Sequence, residues 1–330
     1  MNGFSYFKKM NKLLFPLLIA LSSCTVQKIN KSISKSEVFD KGHLGFMLVD
    51  PDKDKVLVDI NSDKYFIPAS NTKLFTFYTA YTVLGDSLVN GLNYLERGDS
   101  LIFWGTGDPG LLHPDLKNEV ALDFLRKQTK KLFLLDNFDQ VNAFGPGWSW
   151  DWYNYYYAAE RSAFPVYGNV VRFEKSKATK TFTTYPPRFE GSLKKTESSG
   201  NSSYNFLRDQ FKNEFSFFMN PGSDSLQFER DIPFRTSADF AASLLSEALG
   251  KNVTLVKNDS YFESEPRKLL TTPADSIYSQ MMKISDNFLA EQLMLLVSDQ
   301  LNNKLNIADA IDYSKENLLS ELPDEVIWYD

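Results

Sequence analysis

A serine and a lysine three positions apart, Ser70 and Lys73 in Ile-Pro-Ala-Ser-Asn-Thr-Lys-Leu, are the residues of this sequence best placed to do chemistry. One helical turn brings both onto the same face. Serine is a weak nucleophile near neutral pH and needs an adjacent base. Lysine serves as that base only where burial or a neighbouring cation favours its neutral form. A second element, Ser285-Asp286-Asn287, begins 215 positions after Ser70. In the chemistry that this pairing suggests, Ser285 relays a proton between Lys73 and a leaving amine. Asn287 holds Lys73 and hydrogen-bonds a substrate amide. The combination outlines serine acyl transfer without a histidine.

Each element also has a plainer reading. Ser-x-x-Lys occurs four times, at Ser5, Ser32, Ser70 and Ser192, and on spacing alone an N-cap serine followed by a solvated lysine accounts for it. Ser5 and Ser32 fall in the N-terminal leader and its tether, and Ser192 in a polar stretch. Only Ser70 opens an amphipathic helix, with Leu74, Tyr78 and Tyr81 at i, i+4 and i+7 and Gly85 as its stop. The helix N-terminus there favours developing negative charge. Ser285-Asp286-Asn287 also reads as a helix N-cap ahead of Phe288, Leu289, Leu293 and Leu296, and both roles are compatible. With two histidines, His43 and His113, and one cysteine, a His/Cys zinc cage is nearly excluded, and neither histidine sits in a triad motif.

The elements that must position these groups divide as follows. The 330 residues are 43% apolar and 15% aromatic, enough for more than one domain, and a net charge of −6 gives no sign of nucleic-acid binding. Residues 1–24 read as a lipoprotein signal: Lys8, Lys9 and Lys12, a short apolar run, then Leu-Ser-Ser-Cys ending at Cys24, the expected lipidation site. Residues 25–37 are polar and read as a tether. Residues 43–50 and 55–60 read as a hairpin turned by Pro51-Asp52-Lys53-Asp54. Helices are expected at 70–84, 236–249, 276–283, 286–301 and 307–319, with strands at 101–104, 253–256 and 326–329. The division that follows is an α/β catalytic domain, 38–90 and 266–330, interrupted by a mainly β insertion at 91–265.

Four segments carry a resemblance. They are Pro-Ala-Ser-Asn-Thr-Lys-Leu at 68–74, Gly-Thr-Gly-Asp-Pro-Gly-Leu at 105–111, Gly-Pro-Gly-Trp-Ser-Trp-Asp at 145–151, and Met-Lys-Ile-Ser-Asp-Asn-Phe-Leu-Ala-Glu at 282–291. In this order they resemble the class C penicillin-binding proteins, the D-alanyl-D-alanine carboxypeptidase/endopeptidase family. The resemblance implies a penicillin-recognising serine transferase fold, β-lactamase-like, an antiparallel sheet flanked by helices with accessory domains inserted. It implies action on peptidoglycan stem peptides and β-lactams without a cofactor or metal. Ser70 is then the acylated nucleophile, Lys73 its base, and Ser285 and Asn287 the second catalytic element. Asp151 becomes a contact for a cationic substrate side chain, with a turn role equally open. With Cys24 lipidated, the expected location is the cell envelope as a periplasm-facing lipoprotein, and Thr25 after it, in place of an aspartate that retains lipoproteins at the inner membrane, favours the outer membrane.

The sequence departs from the family in carrying no Lys-Thr-Gly, whose strand supplies an oxyanion-hole amide. Losing one such donor costs roughly a hundred- to thousand-fold in rate. The expectation is therefore of a truncated chain of low activity. The alternative is a catalytically silent cell-wall peptide-binding lipoprotein. A β-lactamase is disfavoured by the long spacing between the two motifs and by the lack of an evident deacylating glutamate.

Overall fold

The computed structural model describes residues 25–39, 41–176, 182–191, 193–196, 204–219, 227–322 and 327–328. The leader, Cys24 and half of the last expected strand lie outside them. The chain forms two compact units, residues 1–68 and 69–330. In the first, residues 25–34 are helical. The expected hairpin is present as β1 (Phe46–Asp50) and β2 (Lys55–Ile60), antiparallel, with a bulge between Leu48 and Val49. The ring of Phe66 stacks on His43 at 4.4 Å.

The second unit is built around a five-stranded sheet in the order β12-β5-β4-β3-β13. Strands β3 (Leu88–Arg97) and β4 (Ser100–Gly105) form a tight hairpin with Gly98 at φ 58° in the turn, a left-handed conformation that glycine takes without Cβ strain. Helix α2 (Val120–Lys127) then crosses over to β5 (Lys131–Leu135), which runs parallel to β4. Helix α3 (Ala238–Leu249) leads likewise to β12 (Val253–Val256), parallel to β5. The ends of α3 follow the sequence signals: Ser237 caps it by accepting the Phe240 N–H, and Gly250 turns left-handed after it. Strand β13 (Arg267–Pro273) closes the sheet antiparallel to β3.

Two small sheets cover this frame. One has the order β11-β6-β7, from Val170–Lys175 (β6), Thr183–Tyr185 (β7) and Phe228–Pro233 (β11). The other has the order β8-β10-β9, from Lys194–Lys195 (β8), Tyr204–Arg208 (β9) and Phe215–Met219 (β10). Phe103, Phe164, Phe173, Phe206, Phe215, Phe228 and Phe234 fill a shared core with the leucines of β4 and β5. Phe173 stacks on Phe206 at 4.6 Å, so aromatic packing joins β6 to β9.

The site rests on a separate helical cluster. Helix α1 (Lys73–Leu84) packs on α5 (Asn287–Asn302), flanked by α4 (Ala274–Ile284) and α6 (Ile307–Asn317). Ala80, Ile277, Met281, Leu289, Leu293 and Ala310 meet in its core. The expected apolar stripe on α1 is not the face that is buried. Leu74, Tyr78 and Tyr81 are 54%, 48% and 50% exposed, while Lys73, Thr76, Thr79 and Ala80 point inward. Small and polar side chains let α1 approach α5 and α6 closely, and Thr79 and Ser314 share a 2.7 Å hydroxyl hydrogen bond across that contact.

Candidate active site

Ser70 opens a 3-10 turn, Ala69–Thr72, that runs directly into α1. Ala69 sits at φ 45°, an unusual value for a residue with a Cβ, and its carbonyl accepts the Thr72 hydroxyl at 2.9 Å. This turn leaves Ser70 exposed and carries Lys73 into the interior, where only 2% of it is accessible. An exposed hydroxyl followed one turn later by a buried amine is the arrangement that a Ser-Lys pair requires.

The second element is a helix junction. Ser285 ends α4 in the left-handed conformation, φ 59° and ψ 47°. The Asp286 N–H returns to the Met281 carbonyl, and the Asp286 carboxylate caps α5 by accepting the Leu289 N–H at 3.0 Å. The N-cap reading of the sequence is thus correct for Asp286. Burial pushes the Asp286 carboxyl above its ordinary range, opposed by the N–H groups of Leu289 and Phe288. With the cap made by Asp286, Asn287 projects from the first turn of α5. Its Oδ1 accepts a hydrogen bond from Lys73 Nζ at 2.6 Å, across 214 positions of chain. Ser285 is exposed beside it.

Two loops brace α5 behind this contact. In Gly105-Thr106-Gly107-Asp108-Pro109-Gly110 each glycine answers a close approach rather than a ligand. A Cβ on Gly105 would lie 2.1 Å from the Ala163 carbonyl oxygen, and one on Gly110 2.0 Å from Thr272 Oγ1. Asp108 is fully buried and accepts the hydroxyls of Thr271 and Thr272 at 2.6 and 2.7 Å and the Gly110 N–H. Gln292 of α5 donates to the Gly107 and Ser162 carbonyls. From the other side, Arg161 forms a buried ion pair with Glu291 of α5 at 2.9 Å. Arg161 also donates to the carbonyls of Asn142 and Phe144 and lies over the Trp148 ring.

These four segments are the ones whose order marked the sequence, and comparison with known proteins agrees with them. The model of the D-Ala-D-Ala carboxypeptidase 3 (S13) family matches residues 25–322. The chain belongs to this family. Among solved structures, penicillin binding protein 4 from Haemophilus influenzae superposes with a TM-score of 0.61 at 16% identity, covering 86% of this chain and 69% of that one. The same protein complexed with a novel β-lactam gives 0.51 at 15%, covering 81% and 65%. At such identity the likeness is one of fold, a mixed α/β penicillin-binding fold with added domains. No curated protein sequence matches the chain.

In this member of the S13 family the structure brings Lys73 and Asn287 into contact, with Ser70 one turn before the first and Ser285 two residues before the second. Asp151 stands in the exposed loop before a 3-10 turn, Trp152–Asn154, and its carboxylate accepts the Ser149 hydroxyl at 2.6 Å. Cys24 lies outside the described residues. The sequence reading assigned no role to Arg161, Glu291 or Gln292. Glu291 stood inside the fourth segment, one turn after Asn287, and that spacing was the available signal.

Proposed function

We propose that the chain hydrolyses the terminal D-alanyl peptide bond of peptidoglycan stem peptides, or the related cross-link, through an acyl-enzyme on Ser70. Lys73 takes the Ser70 hydroxyl proton as Oγ attacks the penultimate D-alanyl carbonyl. Ser285 passes a proton to the departing amine, D-alanine leaves, and water attacks the resulting ester to free Ser70. Asn287 keeps the Lys73 amine aimed at the serine. A β-lactam follows the same path, but its leaving amine stays tethered, so the adduct persists.

The observation that carries this reading is the 2.6 Å bond from the buried Lys73 to Asn287. A solvated lysine after an N-cap serine has no need of it. Family membership favours an enzyme over a silent binding module. Cys24 is proposed as the lipid anchor and the cell envelope as the location, with attachment to the outer membrane facing the periplasm. Asp151 is proposed to contact the substrate's cationic side chain. The test is release of free D-alanine from an acetylated Lys-D-Ala-D-Ala peptide. Release by the wild type and its loss in Lys73→Met support the assignment, and equal release by both contradicts it.

A further inference from the structure

A recess of about 480 Å³ opens beside the candidate active site and has no part in the scheme above. One wall is aromatic and comes from the run that follows Asp151: Tyr155, Tyr156 and Tyr157. Tyr157 is its hub. Tyr155 stacks on it at 5.2 Å with the planes 4° apart, and Trp152 and Tyr156 meet it edge-on. Yet Tyr155 and Tyr156 remain 46% and 50% exposed, and Trp150 in the same loop is 77% exposed. A contiguous group of large rings left in water marks a binding surface.

The facing wall is polar and rich in carboxyl groups. Arg172 lies between Asp115 and Asp231, bonded to both oxygens of each at 2.8–2.9 Å. His113 Nδ1 accepts the Asp115 N–H, and burial pushes the imidazole down to about 4, so it stays neutral. Arg230 and Arg172 stand against Asp115, Glu229, Asp231 and Asp286 around the recess. Arg172, Asp115 and Asp231 already face one another and select weakly for a charged ligand, and the carboxyl groups around the recess offer lone pairs to hydroxyl donors. Flat rings on one side and acceptors on the other suit a saccharide, whose pyranose C–H faces lie on aromatic rings while its hydroxyls turn to carboxylates. The recess also reaches Asp286, between Ser285 and Asn287. Its occupant would therefore lie beside the second catalytic element.

We infer that this recess is a glycan subsite, taking an N-acetylhexosamine unit of the wall polymer to which the stem peptide is attached. The inference rests on the proposed function for the identity of the polymer, and two measurements on the full chain separate them. The first is calorimetric titration with chitotetraose, a peptide-free N-acetylglucosamine tetramer. The second is the ratio of kcat/KM for a disaccharide-linked pentapeptide to that for the same pentapeptide alone.

Binding of the tetramer and a ratio of about ten are expected, since an aromatic contact of about 1.4 kcal/mol corresponds to tenfold. The Tyr155→Ala/Tyr156→Ala double variant, checked for a wild-type melting curve, should lose tetramer binding and bring the ratio to about one. Tyr155→Phe keeps both, because the ring face is retained. A wild type that ignores the tetramer and shows a ratio near one overturns the inference. So does a double variant that slows both substrates equally, which would assign the recess to the peptide. If neither substrate is cleaved but the tetramer binds in a tyrosine-dependent way, the proposed function fails and the glycan subsite stands.

Discussion

Replacing Asn287 by alanine removes the acceptor of a hydrogen bond between α1 and α5. Lys73 Nζ lies 2.6 Å from that oxygen in a position only 2% accessible, where water cannot readily replace it. Removing one partner of a buried hydrogen bond costs about 1–3 kcal/mol. For a unit of this size each kcal/mol moves the melting temperature by about 2–4 °C, so a loss of about 2–12 °C is expected. The kinetic effect should be larger in proportion. A misplacement of about 1 Å in a catalytic group costs about a hundredfold, so the second-order rate of acylation by benzylpenicillin should fall by about that factor.

Asn287→Asp separates the two effects. A carboxylate in the same place stabilises the ammonium form of Lys73, which accepts no proton. The variant should therefore melt near the wild type and still acylate slowly. Stopped-flow acylation and differential scanning calorimetry on the three proteins provide the assay. Wild-type acylation by Asn287→Ala would refute the role given to this contact, whatever the melting temperature does.

Other outcomes follow from the bracing of α5 and from burial elsewhere. Gly105→Ala forces a Cβ to within 2.1 Å of the Ala163 carbonyl oxygen, and a thermal melt should show a loss of about 1–3 kcal/mol from overpacking. Arg161→Met leaves Glu291 buried without its guanidinium and should cost about 3–5 kcal/mol, whereas Arg161→Met/Glu291→Leu should recover most of it in urea titrations. His113 titrates at about 4 in the folded chain, below its ordinary 6.5, because burial disfavours the imidazolium. Its contribution to stability is complete above pH 6.5 and is lost as pH falls toward 4, about 3 kcal/mol in all. His113→Gln should flatten that part of the stability–pH curve, and an unchanged slope would contradict the assignment.

Local signals in the sequence were sufficient for individual elements. The turn between β1 and β2, the Ser237 and Gly250 ends of α3 and the Asp286 cap of α5 follow from residue types whose preferences act within one turn of chain. The pairing of Ser70-x-x-Lys73 with Ser285-Asp286-Asn287 was legible because each element carries its own chemistry. What failed was the choice of buried face on α1. Periodicity shows that Leu74, Tyr78 and Tyr81 share a side, but not whether that side meets the core.

The other residues that escaped act across distance. Arg161 and Glu291 are 130 positions apart, and a single sequence holds no trace of their ion pair. The glycines at 105, 107 and 110 likewise answer distant partners. A Cβ would meet the Ala163 carbonyl at Gly105, Leu295 of α5 at Gly107 and the Thr272 hydroxyl of β13 at Gly110.

The central claim is that Ser70 is the acylated nucleophile, and peptide mapping after benzylpenicillin treatment tests it most directly. Digestion of the treated chain, followed by tandem mass spectrometry, should place a single penicilloyl group on the peptide containing Ser70. It should be absent from Ser70→Ala, which is expected to melt like the wild type because this hydroxyl is exposed. An adduct on another residue, or one that persists in Ser70→Ala, would contradict the account.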